Sequence, residues 1–414
     1  MKKNALRLCF CVFLLLALVW GIRSIYGERI SEKIQLNGFI SQGYIYSTHN
    51  DFLPQASEYG SYEFSEAGLT FSVDVSEKLR LGFQLLARDF GPIGNYRILL
   101  DWGFADYRFD KAFGIRVGKI KAPLGFYNEV RDTDPLFPMV ILPQSIYDEA
   151  FRPVFIAYSG IGFHGKLNIG AGSLNYHLFT GSVNHPSDAP YLTQIQTAVN
   201  RGIAQTGMSI SPLVMDTQLF YGGRLIWNTP IHGLRLGGSY AYLKAKYNGT
   251  LSVPMAGPVT VFGSMKLKKF FLLSGEWAIG NFTLTGEYME LPPLIHLDLL
   301  GQNILLTEET QQGWYIMGSY VFGDKLNLYA YYDRFLSYKD DPEGNNTALL
   351  GLENFFGWQK DMVIGARYDI NFNWTVKVEW HFIDGVAKSA VFFPDLLNAK
   401  QKWNMLALKM SFNF

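Results

Sequence analysis

The sequence predicts an all-β protein, a transmembrane antiparallel β-barrel of about 16 strands, on the strength of three observations. From Ile34 onward apolar and polar side chains alternate with period two, so each segment has one apolar and one polar face. The connections between these segments are short and long by turns. The chain is 48% hydrophobic and 16% aromatic, yet beyond residue 30 no apolar run approaches the roughly 18 residues of a spanning helix. Its 17% of charged residues is low for a soluble domain, which carries about 25%. A disordered chain is excluded, because such chains are poor in aromatic and β-branched residues. The 36 basic and 36 acidic side chains cancel, so no positive field exists to engage nucleic acid.

The first element is a targeting segment. Lys2, Lys3 and Arg7 precede the apolar run from Leu8 to Trp20, which predicts a secretory signal peptide over 1–27 and a single barrel domain over 28–414. The alternative is an uncleaved anchor helix, for which this run of thirteen residues is short. Removing 1–27 leaves 32 basic against 36 acidic groups, a net charge of −4. Cys9 and Cys11 leave with it, so the mature chain is expected to have no disulfide and no thiol chemistry.

The strands follow in order, near 34–46, 62–75, 79–89, 96–108, 113–120, 155–166, 172–180, 217–227, 234–244, 265–278, 281–290, 312–322, 325–335, 361–370, 373–383 and 403–414. Along Leu79 to Leu85 one face reads Leu, Leu, Phe, Leu and the other Arg, Gly, Gln. From Trp374 to Phe382, five apolar positions alternate with Thr, Lys, Glu and His. Many segments reach ten or more residues, about twice the usual strand and enough to cross a bilayer at a tilt. The region Trp102 to Tyr107 changes parity, which predicts a bulge.

Short turns are expected at Ser76 to Lys78, Asp110-Lys111, Asn168 to Gly172, Asn228 to Gly233, Gly280-Asn281, Gly323 to Lys325 and Asn371 to Asn373. Their Gly, Asn and Asp content is what tight hairpins need. Long connections are expected at 47–61, 121–154, 181–216, 248–264, 291–311, 336–360 and 384–402, with a shorter one at 90–95. One rim is therefore trimmed and the other elaborated, as in outer-membrane barrels, with both termini on the short-turn side. A soluble sandwich or propeller would need a polar outer face, whereas here the larger apolar residues keep to one face. Trp227, Trp374, Trp380 and Trp403 fall near strand ends, where an interfacial aromatic girdle belongs.

The final segment, Leu406 to Phe414, has apolar residues at alternate positions back from Phe414. It resembles the C-terminal signal read by the outer-membrane assembly machinery. Arg116-Val117-Gly118-Lys119-Ile120-Lys121, followed by Ala122-Pro123-Leu124-Gly125-Phe126-Tyr127-Asn128-Glu129, resembles the start of the inward-folded third extracellular loop of the Gram-negative porin superfamily. Ile141 to Tyr147 resembles the same loop in bacterial porins. The resemblance implies a barrel in the outer-membrane lipid, a homotrimer, small hydrophilic solutes as partners, handling by the barrel assembly machinery through Phe414, and no cofactor. It singles out no substrate-specific subfamily.

A barrel of 16–18 strands has an interior wide enough for water. The connection from Ala122 to Val154 is about 33 residues long, and loops of this length are more often functional than idle. Pro123, Pro135, Pro138, Pro143 and Pro153 limit its freedom, while Phe137, Met139, Val140, Ile141 and Leu142 need a surface to pack on. Folding against the inner wall satisfies both; the alternative is an external loop closing on its neighbours. The candidate constriction residues are Glu129, Arg131, Asp132 and Asp134, with Asp148, Glu149 and Arg152 in the same connection. The candidate pore wall is Arg80, Arg88, Arg116, Lys119, Lys121, Arg224, Arg367 and Lys377. Strand parity adds Arg235 and Lys409, against Asp101, Glu287, Asp333, Asp369 and Glu379. An acidic loop facing a basic wall predicts a transverse field that orients polar solutes, although any one of these charges is also explained by a solvated lumen.

The leading functional expectation is a porin, a water-filled channel for passive diffusion of small hydrophilic solutes and ions. The alternative is a substrate-specific channel for a sugar, an anion or a hydrophobic compound. Tyr329 and Tyr331 have lumen parity but are too few for a sugar-stacking ladder. A barrel-borne enzyme is disfavoured: the seven histidines show no partner pattern, and no Gly-x-Ser-x-Gly or His-Glu-x-x-His motif occurs. No catalytic or metal residue is expected. An adhesin is favoured only if 122–154 is external. About six residues between Gly27 and the first strand leave no room for the plug of an energy-coupled receptor.

Overall fold

Period-two alternation folds here as one continuous sheet. The computed structural model describes residues 34–414 apart from 53–55, 92, 187–188, 190, 193–195, 197–199, 201–205, 212, 256, 300–301, 350 and 390–397; the predicted signal peptide lies outside the described residues. The strands are β1 (Ile34–Ser47), β2 (Ser65–Asp74), β3 (Leu79–Asp89), β4 (Leu99–Arg108), β5 (Gly114–Lys121), β6 (Ala157–Ile169), β7 (Gly172–Ser182), β8 (Ser209–Ile210), β9 (Val214–Asn228) and β10 (Leu234–Val253). There follow β11 (Gly257–Ile279), β12 (Phe282–Leu291), β13 (Pro293–Leu299), β14 (Gln302–Thr307), β15 (Gln311–Phe322), β16 (Leu326–Leu336), β17 (Trp358–Asp369), β18 (Trp374–Gly385) and β19 (Lys402–Asn413). Among the described residues, β8 pairs beside the far end of β10, and β13 and β14 form a hairpin beside β11. The other sixteen strands close into an antiparallel barrel where β1 meets β19, from Phe39 opposite Asn413 to Ser47 opposite Met405. Closure leaves no free edge among these sixteen strands, which a sheet in lipid requires.

The polarity of the barrel is the reverse of a soluble protein's. On β18, Trp374, Val376, Val378 and Phe382 are exposed on the outside, while Thr375, Lys377, Glu379 and His381 are buried inside. Leu81, Ile161, Leu225, Leu273, Ile316 and Ile364 extend the outer apolar belt round the circumference. An apolar belt of this extent suits lipid, not water. Aromatic pairs ring the short-turn end: Tyr107 on Phe109, Phe109 on Phe113, Tyr320 on Phe322 and Trp374 on Phe412. Trp227 and Trp374 are exposed there. Two of the four tryptophans expected in a girdle are elsewhere. Trp380 sits mid-strand opposite Leu406 and Ile364. Trp403 is buried against Phe52, its indole N–H donating to the Gly385 carbonyl, because it shares the inward face of Met405, Ala407 and Lys409.

The connections alternate in length, with tight turns at 75–78, 109–113, 170–171, 229–233, 280–281, 323–325 and 370–373. Two expected loops are instead strand. The span 248–264 continues the β10–β11 ladder to Val253 opposite Gly257, so these strands run to 20 and 23 residues. At about 3.4 Å per residue the longer spans nearly 80 Å, roughly twice what a tilted crossing needs, so the hairpin stands clear of the membrane. It persists because Tyr247, Leu251, Val261 and Met265 keep an apolar face for Ile210, Leu213 and Leu192. The span 291–311 likewise holds the β13–β14 hairpin. The bulge expected within Trp102 to Tyr107 is one residue earlier: Gln84 pairs with Trp102 and Leu85 with Leu100, leaving Asp101 unpaired.

Candidate functional site

The connection 122–156 joins β5 to β6 and meets inward-facing side chains on strand after strand. It turns at Gly125, whose φ of +63° and close neighbours, the Tyr147 hydroxyl and the Glu287 carboxylate, leave no space for a Cβ. Gly125 N–H donates to Ser239 Oγ of β10 at 3.0 Å, and Phe126 N–H to Glu287 Oε1 of β12 at 2.9 Å. Glu287 also accepts the hydroxyls of Ser274 (2.6 Å), Tyr147 (2.6 Å) and Tyr315 (2.9 Å). A carboxylate this buried needs such a donor set. Ile141 N–H donates to Glu379 of β18 at 3.0 Å, and Ser145 N–H and hydroxyl donate to Asp333 of β16.

The acidic residues of the connection are each met by cations. Glu129 pairs with Arg224 of β9, which also donates to the Gly125 carbonyl at 2.9 Å. Asp132 lies 2.6 Å from both Lys121 and Arg152, and Arg152 reaches Asp101 at 3.3 Å. Asp134 takes Lys409 at 3.0 Å, Lys377 at 3.6 Å and the Ser411 hydroxyl. Glu149 sits 2.6 Å from Arg88 and 2.5 Å from Arg131. Asp148 pairs with Lys388 at 2.8 Å. Burial pushes the carboxyls of Glu129, Asp132, Asp134 and Glu149 up, but the cations outweigh it. Arg224 holds Glu129 below its ordinary value, Lys121 and Arg152 hold Asp132 well below, and Lys377 and Lys409 hold Asp134 below. Arg131 and Arg88 lower Glu149 to about 2.

Lys377 does the most fastening on one strand. Its ammonium donates to the carbonyls of Asp134 (2.9 Å), Phe137 (3.0 Å) and Met139 (3.0 Å), and lies 4.4 Å from the Phe137 ring centre. Arg367 of β17 donates to the Pro135 carbonyl at 2.6 Å. Apolar contact follows the same path: Phe126, Tyr127, Phe137, Met139 and Leu142 cluster with Tyr315, Tyr329, Tyr331 and Val363. Val140, Ile141 and Ala150 cluster with Ile45, Phe64, Met405 and Ala407. Wall side chains on well-separated strands are covered, Tyr158 on β6, Phe220 on β9, Val363 on β17 and Ala407 on β19 each being at 0% exposure.

This arrangement corrects the expected transverse field. The loop acids do not face a basic wall across water; they touch it, and their fields are spent in pairs. The wall acids Glu287, Asp333 and Glu379 are anchors for loop amides and hydroxyls rather than counter-charges. Of the candidate wall, Arg88, Lys121, Arg224, Arg367 and Lys377 engage the connection directly, while Arg116 pairs with Asp106 at 3.1 Å. Lys119 instead donates to the Leu100 carbonyl at 2.5 Å, and Arg80 stands opposite Asp106 near the short-turn rim. Sequence reasoning missed Ser145, Tyr147 and Lys388. Glu287 and Glu379 carried a usable signal, since a carboxylate at inward parity in mid-strand needs donors. Among the described residues no three His, Cys, Asp or Glu side chains converge as a metal site.

On the short-turn side a cavity of about 370 Å³ opens between β4 and β9, lined by Arg108, Lys111, His164, Lys166, Asn175, Tyr176, His177 and Arg224.

No protein-family model and no curated protein sequence matches the chain. Solved structures do. The chain resembles OmpF of Salmonella typhi, solved in complex with daunomycin, at 13% identity and a TM-score of 0.57, over 94% of this chain and 99% of that one. It resembles an anion-selective porin from Comamonas acidovorans at 12% identity and 0.52, over 92% and 99%. It also resembles the outer-membrane channel DcaP of Acinetobacter baumannii at 12% identity and 0.50, over 92% and 97%. At such identities the likeness is one of architecture: this chain has the sixteen-stranded barrel fold of outer-membrane porins.

Proposed function

We propose that the protein is an outer-membrane channel for passive movement of small hydrophilic solutes and ions, with the 122–156 connection folded into the lumen to control passage. The carrying observation is the set of partners of that connection. Ser239, Glu287, Asp333, Lys377, Glu379 and Lys409 all face inward from five strands, and a loop lying outside the barrel could not meet them together. The apolar exterior supports residence in lipid, and the fold supports the outer membrane in particular. A homotrimer in that membrane accords with the same fold. The density of contacts favours restricted passage over general diffusion. Free lumen walls would leave their charged side chains wet, whereas Glu379 and Lys377 are 0% and 1% exposed.

Pure folded protein in planar bilayers under a salt gradient is expected to give discrete, infrequent conductance steps. Absence of any step from folded protein refutes the channel. Liposome swelling with sugars of increasing size separates the two modes: a smooth fall with size marks general diffusion, and a sharp preference marks a selective channel.

A further inference from the structure

The cations of the constriction are neutralised, but Arg108, Lys111 and Lys166 of the short-turn vestibule are not. We infer that this vestibule is a binding site for small multivalent oxyanions, solutes bearing a phosphate or several carboxylates; the inference deepens the channel reading and rests on it for access to the barrel interior.

The ladder registers build the site. Arg108 of β4 stands opposite Gly114 of β5, Gly114 opposite His164 of β6, His164 opposite His177 of β7, and His177 opposite Arg224 of β9. Four nitrogen-bearing side chains thus share one row across five strands. The fifth position is a glycine at which a Cβ would lie 2.7 Å from the His164 ring, so the row keeps an opening there. One step nearer the rim are Lys166 and Lys111, joined by the Lys166 N–H donating to the Lys111 carbonyl at 2.9 Å.

Charge accounting gives the sign. Among the described residues no acid lines the space; Asp106 and Glu129 touch lining residues, and Asp110 adjoins Lys111 in sequence. Asp106 is held by Arg116 at 3.1 Å and by His164 Nε2 at 2.7 Å, and Glu129 is held by Arg224. Asp110 accepts the backbone N–H groups of Ala112 (2.7 Å) and Phe113 (2.9 Å) within its own turn. Among the described residues Arg108, Lys111 and Lys166 have no carboxylate within ion-pair distance, and the buried Arg116 Nε has no acceptor. A walled space lined by cations of one sign concentrates anions. Guanidinium forks with nearby ammonium groups match the oxygens of phosphate and carboxylate, and a multivalent ion can engage two of them at once. A volume of about 370 Å³ suits a small solute rather than a polymer.

The test is calorimetric titration of the full-length protein in neutral detergent at low ionic strength with inorganic phosphate, with citrate and with glucose. Saturable binding of phosphate, citrate or both is expected, with none for glucose, and the two arms say which oxyanion chemistry the site takes. Lys111→Glu with Lys166→Glu should weaken binding at least tenfold, and the Gln pair should weaken it less. If the Glu pair fails to fold, the Gln pair carries the test. No saturable binding of either anion to folded wild-type protein overturns the site, as does binding unchanged in the folded variants. Binding without bilayer conductance would sink the channel reading and leave the site; conductance without binding would do the reverse.

Discussion

Lys377→Met is the perturbation that most directly asks whether the connection is held by the wall. Methionine keeps the length and the apolar stem but removes three donors, at 2.9, 3.0 and 3.0 Å, from the carbonyls of Asp134, Phe137 and Met139. Hydrogen bonds from a charged group contribute about 1.5–3 kcal/mol each, though not additively. Removing one partner of a buried pair costs about 3–5 kcal/mol. Two effects reduce the net here. Asp134 keeps Lys409 and Ser411, and the ammonium, 1% exposed, no longer has to be desolvated. A net loss of about 2–4 kcal/mol is expected, which raises the detached population of 134–139 about 30- to 1,000-fold. Hydrogen exchange of the 134–141 amides, read by mass spectrometry, should accelerate by that factor while β17 and β18 stay protected. Bilayer recordings should show a larger open fraction. Unchanged exchange in 134–141 within an intact barrel would refute the reasoning. Equal loosening of β17 and β18 would also refute it, by showing that Lys377 supports the wall instead.

Two further outcomes are expected. Gly313→Ala sets a Cβ against the Ser145 carbonyl, an overpacking that costs about 1–3 kcal/mol. Exchange at 144–146 should rise while the melting temperature of the barrel changes little, and equal protection in mutant and wild type would show that the connection does not press on β15. Acid should release the connection, because Glu129, Asp132, Asp134 and Glu149 all titrate below their unfolded values. Their contribution is complete above about pH 4.5 and is lost as pH falls through the folded values. For Glu149, lowered to about 2, it amounts to about 3 kcal/mol. Conductance, or exchange corrected for the intrinsic pH dependence of amide exchange, measured from pH 8 to pH 2 should be flat down to about 4.5 and rise below it; a rise confined to pH 5–8 would contradict the assignment to these carboxylates.

The barrel was legible because its signals are local. Alternation follows from the direction of successive side chains, and turns such as Gly280-Asn281 and Gly323 to Lys325 declare themselves by residue type. The reach of β10 and β11 was not legible, since alternation continues whether lipid or water lies outside. Trp403 was readable in principle, because its parity with Lys409 places it inside. The pairing at the candidate site was beyond reach for a different reason. Glu129 meets Arg224 and Asp134 meets Lys377 only because closure brings distant strands round to face the connection. A list of acids and bases suggested opposed surfaces; desolvation turned them into contacts.

The seam between β1 and β19 has a consequence for the lifetime of the molecule. Its pairs, from Phe39–Asn413 to Ser47–Met405, join nearly the two extremes of the described chain. Contacts of such sequence separation form late and slowly. Until they form, two raw strand edges stand ready to pair with any other chain. Once they have formed in lipid, reopening strands a row of backbone groups at several kcal/mol each with no water to take them. Partial unfolding by fraying at an edge, the ordinary first step for an open sheet, has nowhere to begin. Survival of the folded barrel is therefore a matter of rate, set by how seldom this one seam unzips.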